Sequence, residues 1–249
     1  MVREDVELLY LVLRTLDDLV DLEAARPDDP STHERLVAVE TWAAGGRPAA
    51  PTQETRILDD LRRRHPSLPP DAVADFTAGM RQDLAGPVIA TEADLDEYCY
   101  RVAGTVGRLM AAILGAEGPE ADRAARALGS AMQRTNVLRD IDEDLARGRC
   151  YLPAATLAAH GVNDLRTGDR RAVLRTEIAL ADADYVRGMD GIGLLRHGRR
   201  SIAAAALMYR EILRQIERDG LGERRPHRSV VPGPRKALLV ARAMLKPGA

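Results

Sequence analysis

The chain has 249 residues, 45% of them hydrophobic and 30% charged, with a formal net charge of -2. That composition belongs to one large folded domain or two small ones and excludes disorder, while the near-zero charge offers no global positive field for nucleic acid. Two cysteines make neither a disulfide framework nor a metal site, and no apolar run approaches the roughly 18 residues of a membrane span.

In chain order, nearly every periodic segment has the helical period. Residues 4–25 place Val6, Leu9, Leu13, Leu16 and Val20 on one broad face, and "RPDDPST" at 26–32 breaks the pattern. A short helix is expected over 32–44, stopped by Gly45 and Gly46. The next two fall at 52–65, ended before Pro66, and at 68–84, which opens on proline. A long helix follows over 91–115 with Thr91 as its cap, and Gly104 and Gly107 inside it. Another runs over 119–146 and ends near Gly148, before a loop containing "YLPAATL". Helices at 171–188 and 199–219, a linker at 223–236 and a last apolar helix at 235–245 complete the chain. The expected architecture is all-α, a bundle with an interior site; the short "RSVV" is the one weak strand signal. The N-terminus carries acids at once and no cleavage signature, so a cytoplasmic protein is expected.

Two acidic pairs stand out. Asp17 and Asp21 are four apart, as are Asp140 and Asp144, so each pair projects from one helix face. Like charges at that spacing repel. Asn136 extends the second pair into a stripe, with Gln133 and Arg139 beside it, while Asp142 and Glu143 are expected to face solvent. A hard divalent cation, above all Mg²⁺, with Mn²⁺ as a substitute, would neutralise such pairs and anchor a diphosphate. Arginines 14, 139 and 149 could bind phosphate oxygens. The plain alternative for any one pair is a solvated helix face.

Three stretches then carry a resemblance. "LRTLDDLVD" (13–21) looks like the first aspartate motif of the squalene/phytoene synthase family. "YCYRVAGTVG" (98–107) resembles its middle signature, and "MQRTNVLRDIDEDLARGRCYLP" (132–153) its second aspartate motif. "GMRQDL" (79–84) and "SIAAAALMYREILRQI" (201–216) are also similar, so the resemblance spans nearly the whole chain.

The resemblance implies the all-α isoprenoid synthase fold around a central cavity, over a single domain, 1–249. It implies head-to-head condensation of two farnesyl or geranylgeranyl diphosphates to presqualene diphosphate and squalene, or to phytoene. Asp17 and Asp21 would hold Mg²⁺ at one diphosphate, and Asp140 and Asp144 at the other, with Asn136 nearby. Arg14 and Arg139 would contact phosphate. Tyr100 matches a tyrosine that assists the chemistry; a core tyrosine with a satisfied hydroxyl is the alternative. Asp83 and Tyr151 are further polar candidates. NADPH is expected only if squalene is the product. Family members carry one more helix before the first motif, so either that helix is lacking here or the start is placed late. A prenyltransferase acting on a small non-isoprenoid acceptor, or a degenerate non-catalytic homologue, are the alternatives. Basic patches at 61–65 and 196–200 fit a solvated helix face or peripheral contact with a membrane surface for product release.

Overall fold

The computed structural model describes residues 2–23 and 30–245, with side chains of 21–23 and 30–32 outside the description. Among the described residues the regular structure is helical, and the 228–231 stretch is not a strand. Helices α1 (Val2–Glu23), α2 (Pro30–Ala43), α3 (Gln53–Arg64) and α4 (Pro70–Ala85) come first. Thr52 caps α3 through a reciprocal pair of bonds with Thr55, and Pro70 opens α4 at a position where a missing N–H costs nothing.

The segment expected as one helix over 91–115 is in three parts. Helix α5 (Glu92–Cys99), capped by Thr91 with Asp94, leads into a π turn (Tyr100–Gly104) and then α6 (Thr105–Ile113). The π turn inserts extra rotation, so faces before and after it do not follow one 3.6-residue period. The expected helix 119–146 also divides. Helix α7 (Pro119–Arg139) ends at Asp140, whose φ of -103 and ψ of 13 leave the helical basin, and α8 (Ile141–Ala146) restarts at once. The expected loop contains a short α9 (Ala154–Ala159), followed by α10 (Arg171–Asp190), α11 (Arg199–Arg218) and α12 (Gly233–Leu245).

Helix α7 is the axis of the fold. It packs against α5, the π turn, α6, α10 and α11. One apolar cluster joins α1–α4 to Leu109, Ala112 and Ile113 of α6. The other joins α5 and α7–α12 to Ala111 and Leu114, so α6 separates the two with opposite faces. Helices α6 and α7 cross closely enough that a Cβ on Gly107 would lie 2.2 Å from the Ala125 carbonyl oxygen. Close packing therefore accounts for Gly107, which also lines the cavity described below. At the other edge of α7, the buried Arg134 guanidinium ties α5 to α10 by pairing with Glu92, Asp96 and Glu177. No helix among the described residues is long and apolar enough to cross a membrane.

Candidate active site

Between α6, α7, the end of α10 and α11 lies a cavity of about 300 Å³. Its walls are Val106 and Met110 from α6 with Leu114 just beyond it, Leu128 and Met132 from α7, and Ile192 and Leu195 beyond α10. Small residues widen it: Ala121, Ala124, Ala125 and Gly129 all face it from α7. With aromatic residues at 3% of the chain, aliphatic side chains carry the lining, as the composition requires. Gln133 and Asn136, about two turns and one turn before the end of α7, are its polar lining on that helix.

Asn136 leads directly to the second acidic pair. Its Nδ2 donates to Gln133 at 3.2 Å, but its Oδ1 is buried without a hydrogen-bond partner. Asp140, at the junction of α7 and α8, accepts from Arg139 Nε at 2.8 Å and Nη2 at 2.5 Å. It also accepts from Arg228 Nε at 2.9 Å, from 88 residues further along the chain. Asp144 sits one turn on. Burial, then the neighbouring Asp140 carboxylate, push its carboxyl up to about 6. A stripe of two carboxylates and an amide oxygen, one carboxylate disfavoured as an anion and the amide oxygen orphaned, fits an oxygen-seeking divalent cation. Among the described residues no three His, Cys, Asp or Glu side chains form a closed metal cluster, so metal binding here would draw further oxygens from a ligand or water.

The first pair is only partly described. Leu13, Leu16 and Val20 are buried, as the pattern requires, on a helix packed against α6. Arg14 reaches Asp17 at 3.1 Å and Asp18 at 2.6 Å, and these two carboxylates are similarly exposed. The Asp21 side chain lies outside the described residues. The expectation for Asp142 needs correction. It is largely covered, between Arg170 and the backbone N–H of His227, whereas Glu143 is exposed as expected.

Tyr100 is not among the residues lining the apolar cavity. It is buried beside a separate polar groove, its hydroxyl donating to Asp75 at 2.5 Å and accepting from Arg108 at 2.8 Å. The Arg126 guanidinium covers its ring at 3.7 Å. Burial, with the Asp75 bond, pushes its hydroxyl up to about 12. The Tyr98 ring stacks on Tyr151 with centroids 5.0 Å apart, and its hydroxyl donates to Asp83 at 3.1 Å. Burial, then the Asp83 carboxylate, raise its hydroxyl far above the ordinary tyrosine range, so it stays a proton donor. Tyr151 shares a small crevice with Asp144 and Arg149, which places this tyrosine pair beside the second acidic motif. Asp83 and Tyr151 are therefore brought together, and Tyr98 and Arg228 are the residues that sequence reasoning passed over. The buried Cys99 thiol, pushed up to about 12 by burial, is unsuited to nucleophilic work.

Comparison with known proteins agrees with this geometry. The squalene/phytoene synthase family profile matches residues 1–233. A phytoene synthase of Thermus thermophilus is 42% identical, over 95% of this chain and 81% of its own length. A 15-cis-phytoene synthase of Synechocystis sp. is 33% identical, over 98% and 77%. Among solved structures, a dehydrosqualene synthase superposes with a TM-score of 0.78 at 27% identity, covering 96% of this chain and 85% of that one. The squalene synthase HpnC from Alicyclobacillus acidocaldarius superposes at 0.73 and 27% identity, covering 89% and 85%. The helical bundle, its apolar cavity and the extent of these matches establish that the chain belongs to the squalene/phytoene synthase family.

Proposed function

We propose that the chain joins two geranylgeranyl diphosphates head to head to form phytoene, the C20 branch of the prenyl condensation that its family carries out. The cavity is long enough for the longer chain. Its lining on α7 runs from Ala121 to Asn136, a rise of about 22 Å at ~1.5 Å per residue. With carbon–carbon bonds of about 1.5 Å, four extended isoprene units span roughly 20 Å and three roughly 15 Å. The curated relatives described above, both phytoene synthases, favour the same branch.

The residues divide the work by polarity. Arg139 and Arg228, already gathered at Asp140, supply positive charge for one diphosphate, and Arg14 supplies it for the other. Asp140, Asp144 and Asn136 would hold Mg²⁺ at one site, and Asp17 and Asp21 at the other. A metal held there would supply positive charge to the leaving diphosphate. The aliphatic walls hold the hydrocarbon tails and keep water from the carbocation. Tyr98, a phenol that keeps its proton, and its acceptor Asp83 supply an oriented polar edge beside the second motif.

Phytoene formation ends in loss of a proton, whereas squalene formation needs hydride from NADPH. The experiment is incubation with Mg²⁺ and geranylgeranyl diphosphate, with and without NADPH, followed by mass spectrometry of the extract. An equal yield of C40 product in both supports the reading. A product that appears only with NADPH contradicts the phytoene branch. No product, from this substrate or from farnesyl diphosphate, brings prenylation of a different acceptor forward.

A further inference from the structure

Helix α8 has only six residues, yet it serves two sides of the fold. Asp140, just before it, and Asp144, within it, belong to the proposed diphosphate site. Asp142 is two residues from each, and residues two apart on a helix do not share a face. Its carboxylate is held from behind by Arg170, with Nη2 2.7 Å from Oδ1, and Arg170 is 2% exposed. The other oxygen, Oδ2, accepts the backbone N–H of His227 at 2.9 Å.

His227 belongs to a strap, residues 222–231, that crosses this end of the molecule without helix or strand of its own. A segment with no ladder to satisfy its backbone must be tied down by side chains. Arg225 donates to the carbonyls of Arg166 at 2.9 Å and Gly168 at 2.6 Å. The His227 ring lies 2.9 Å from Asp219 Oδ2, and Val231 is buried. Between these ties emerges Arg228, the residue that reaches Asp140. Its own side chain is 48% exposed, with the Asp140 and Glu143 carboxylates at its head, so the path of the strap sets where the residue stands relative to them.

We propose that Asp142 is a positioning residue for the reaction: through the His227 N–H it sets the strap so that Arg228 stands at the second diphosphate site. The chain of contacts runs from the core Arg170 to Asp142, to the His227 backbone, to Arg228 and to Asp140. An arginine already aimed at its anion loses less freedom on binding than one on a loose strap. The inference rests on the reading of Asp140 and Asp144 as a diphosphate site.

The test is calorimetric titration of inorganic diphosphate, with Mg²⁺ present, into the full chain and its variants. Asp142→Ala is expected to weaken binding about tenfold. Asp142→Asn, which keeps an oxygen for the His227 N–H, recovers most of that. Arg228→Ala weakens binding too, and adding Asp142→Ala to it brings no further loss, because the first residue acts through the second. Should Asp142→Ala fail to fold, Asp142→Glu keeps the Arg170 partner while displacing the carboxylate by one methylene. It weakens diphosphate only while Arg228 is present. Losses that simply add, or an Asp142→Ala or Asp142→Glu chain that binds diphosphate as the unmutated chain does, overturn the proposal. Product formation by the unmutated chain is followed separately. Coupling between Asp142 and Arg228 in a chain that makes no product overturns the condensation reading alone. Absent coupling in a productive chain overturns this one alone.

Discussion

Buried charge at single residues decides what the chain can do at each pH. Glu177 is fully buried against Arg134, which also serves Glu92 and Asp96. Burial, then the bond to Glu92, push Glu177 from 4.5 up to about 8. The folded protein therefore holds an extra proton between those values, and its stability falls as pH rises across that window. Glu177→Gln mimics the protonated acid. Its melting temperature is expected to stay level from pH 5 to 8, and to exceed that of the unmutated protein at the upper end by a margin worth on the order of 1 kcal/mol. Parallel curves for the two proteins would show that Glu177 is ionised throughout. At the second acidic motif, Asp140→Ala and Asp144→Ala should each lower product formation by at least about a hundredfold, with melting temperature little changed. Steady-state rates beside thermal melts separate this from unfolding.

The spacing of the acidic pairs is visible in the sequence, because four residues on a helix predict a shared face before any fold is known. The place of Arg228 is not, since its pairing with Asp140 spans 88 residues and depends on the strap. Tyr98 lies in the same signature as Tyr100, and the resemblance singled out only the latter; its stacking on Tyr151 joins distant parts of the chain and needs the fold.

At the scale of elements, the helix inventory followed from apolar periodicity and breakers, while the interruptions did not. A π turn leaves the hydrophobic pattern helical on both sides. The break at Asp140 preserves the backbone bonds from Asp140 to Asn136 and from Asp144 to Asp140, so the polar stripe reads as continuous. The crossing of α6 and α7 depends on a near absence of side chain. Gly107→Ala would set a Cβ 2.2 Å from a backbone oxygen that cannot rotate away, and is expected to destabilise the protein by about 1–3 kcal/mol. Urea unfolding measures this, and an unchanged midpoint would mean that the two helices can separate at little cost.

For the whole molecule, the consequence of the architecture is a cavity whose length is set along α7. Ala121 marks its far end on that helix and Asn136 its polar end. Ala121→Leu should shorten it by roughly one isoprene unit, the length of one branched side chain plus its contact distance. The expected result is a loss of C40 product with C30 product retained from farnesyl diphosphate. Equal losses with both substrates would place Ala121 away from the hydrocarbon tail. The composition foretold aliphatic walls, but not their depth, because that depends on how four helices meet.

The most direct test of the account is a competition. The unmutated chain, with Mg²⁺ and no NADPH, is given farnesyl and geranylgeranyl diphosphates at equal concentration, and the hydrocarbon products are resolved by mass. The account predicts that C40 phytoene dominates. A C30 product alone, or a mixture without preference for C40, would contradict the reading of the cavity as a C20 site.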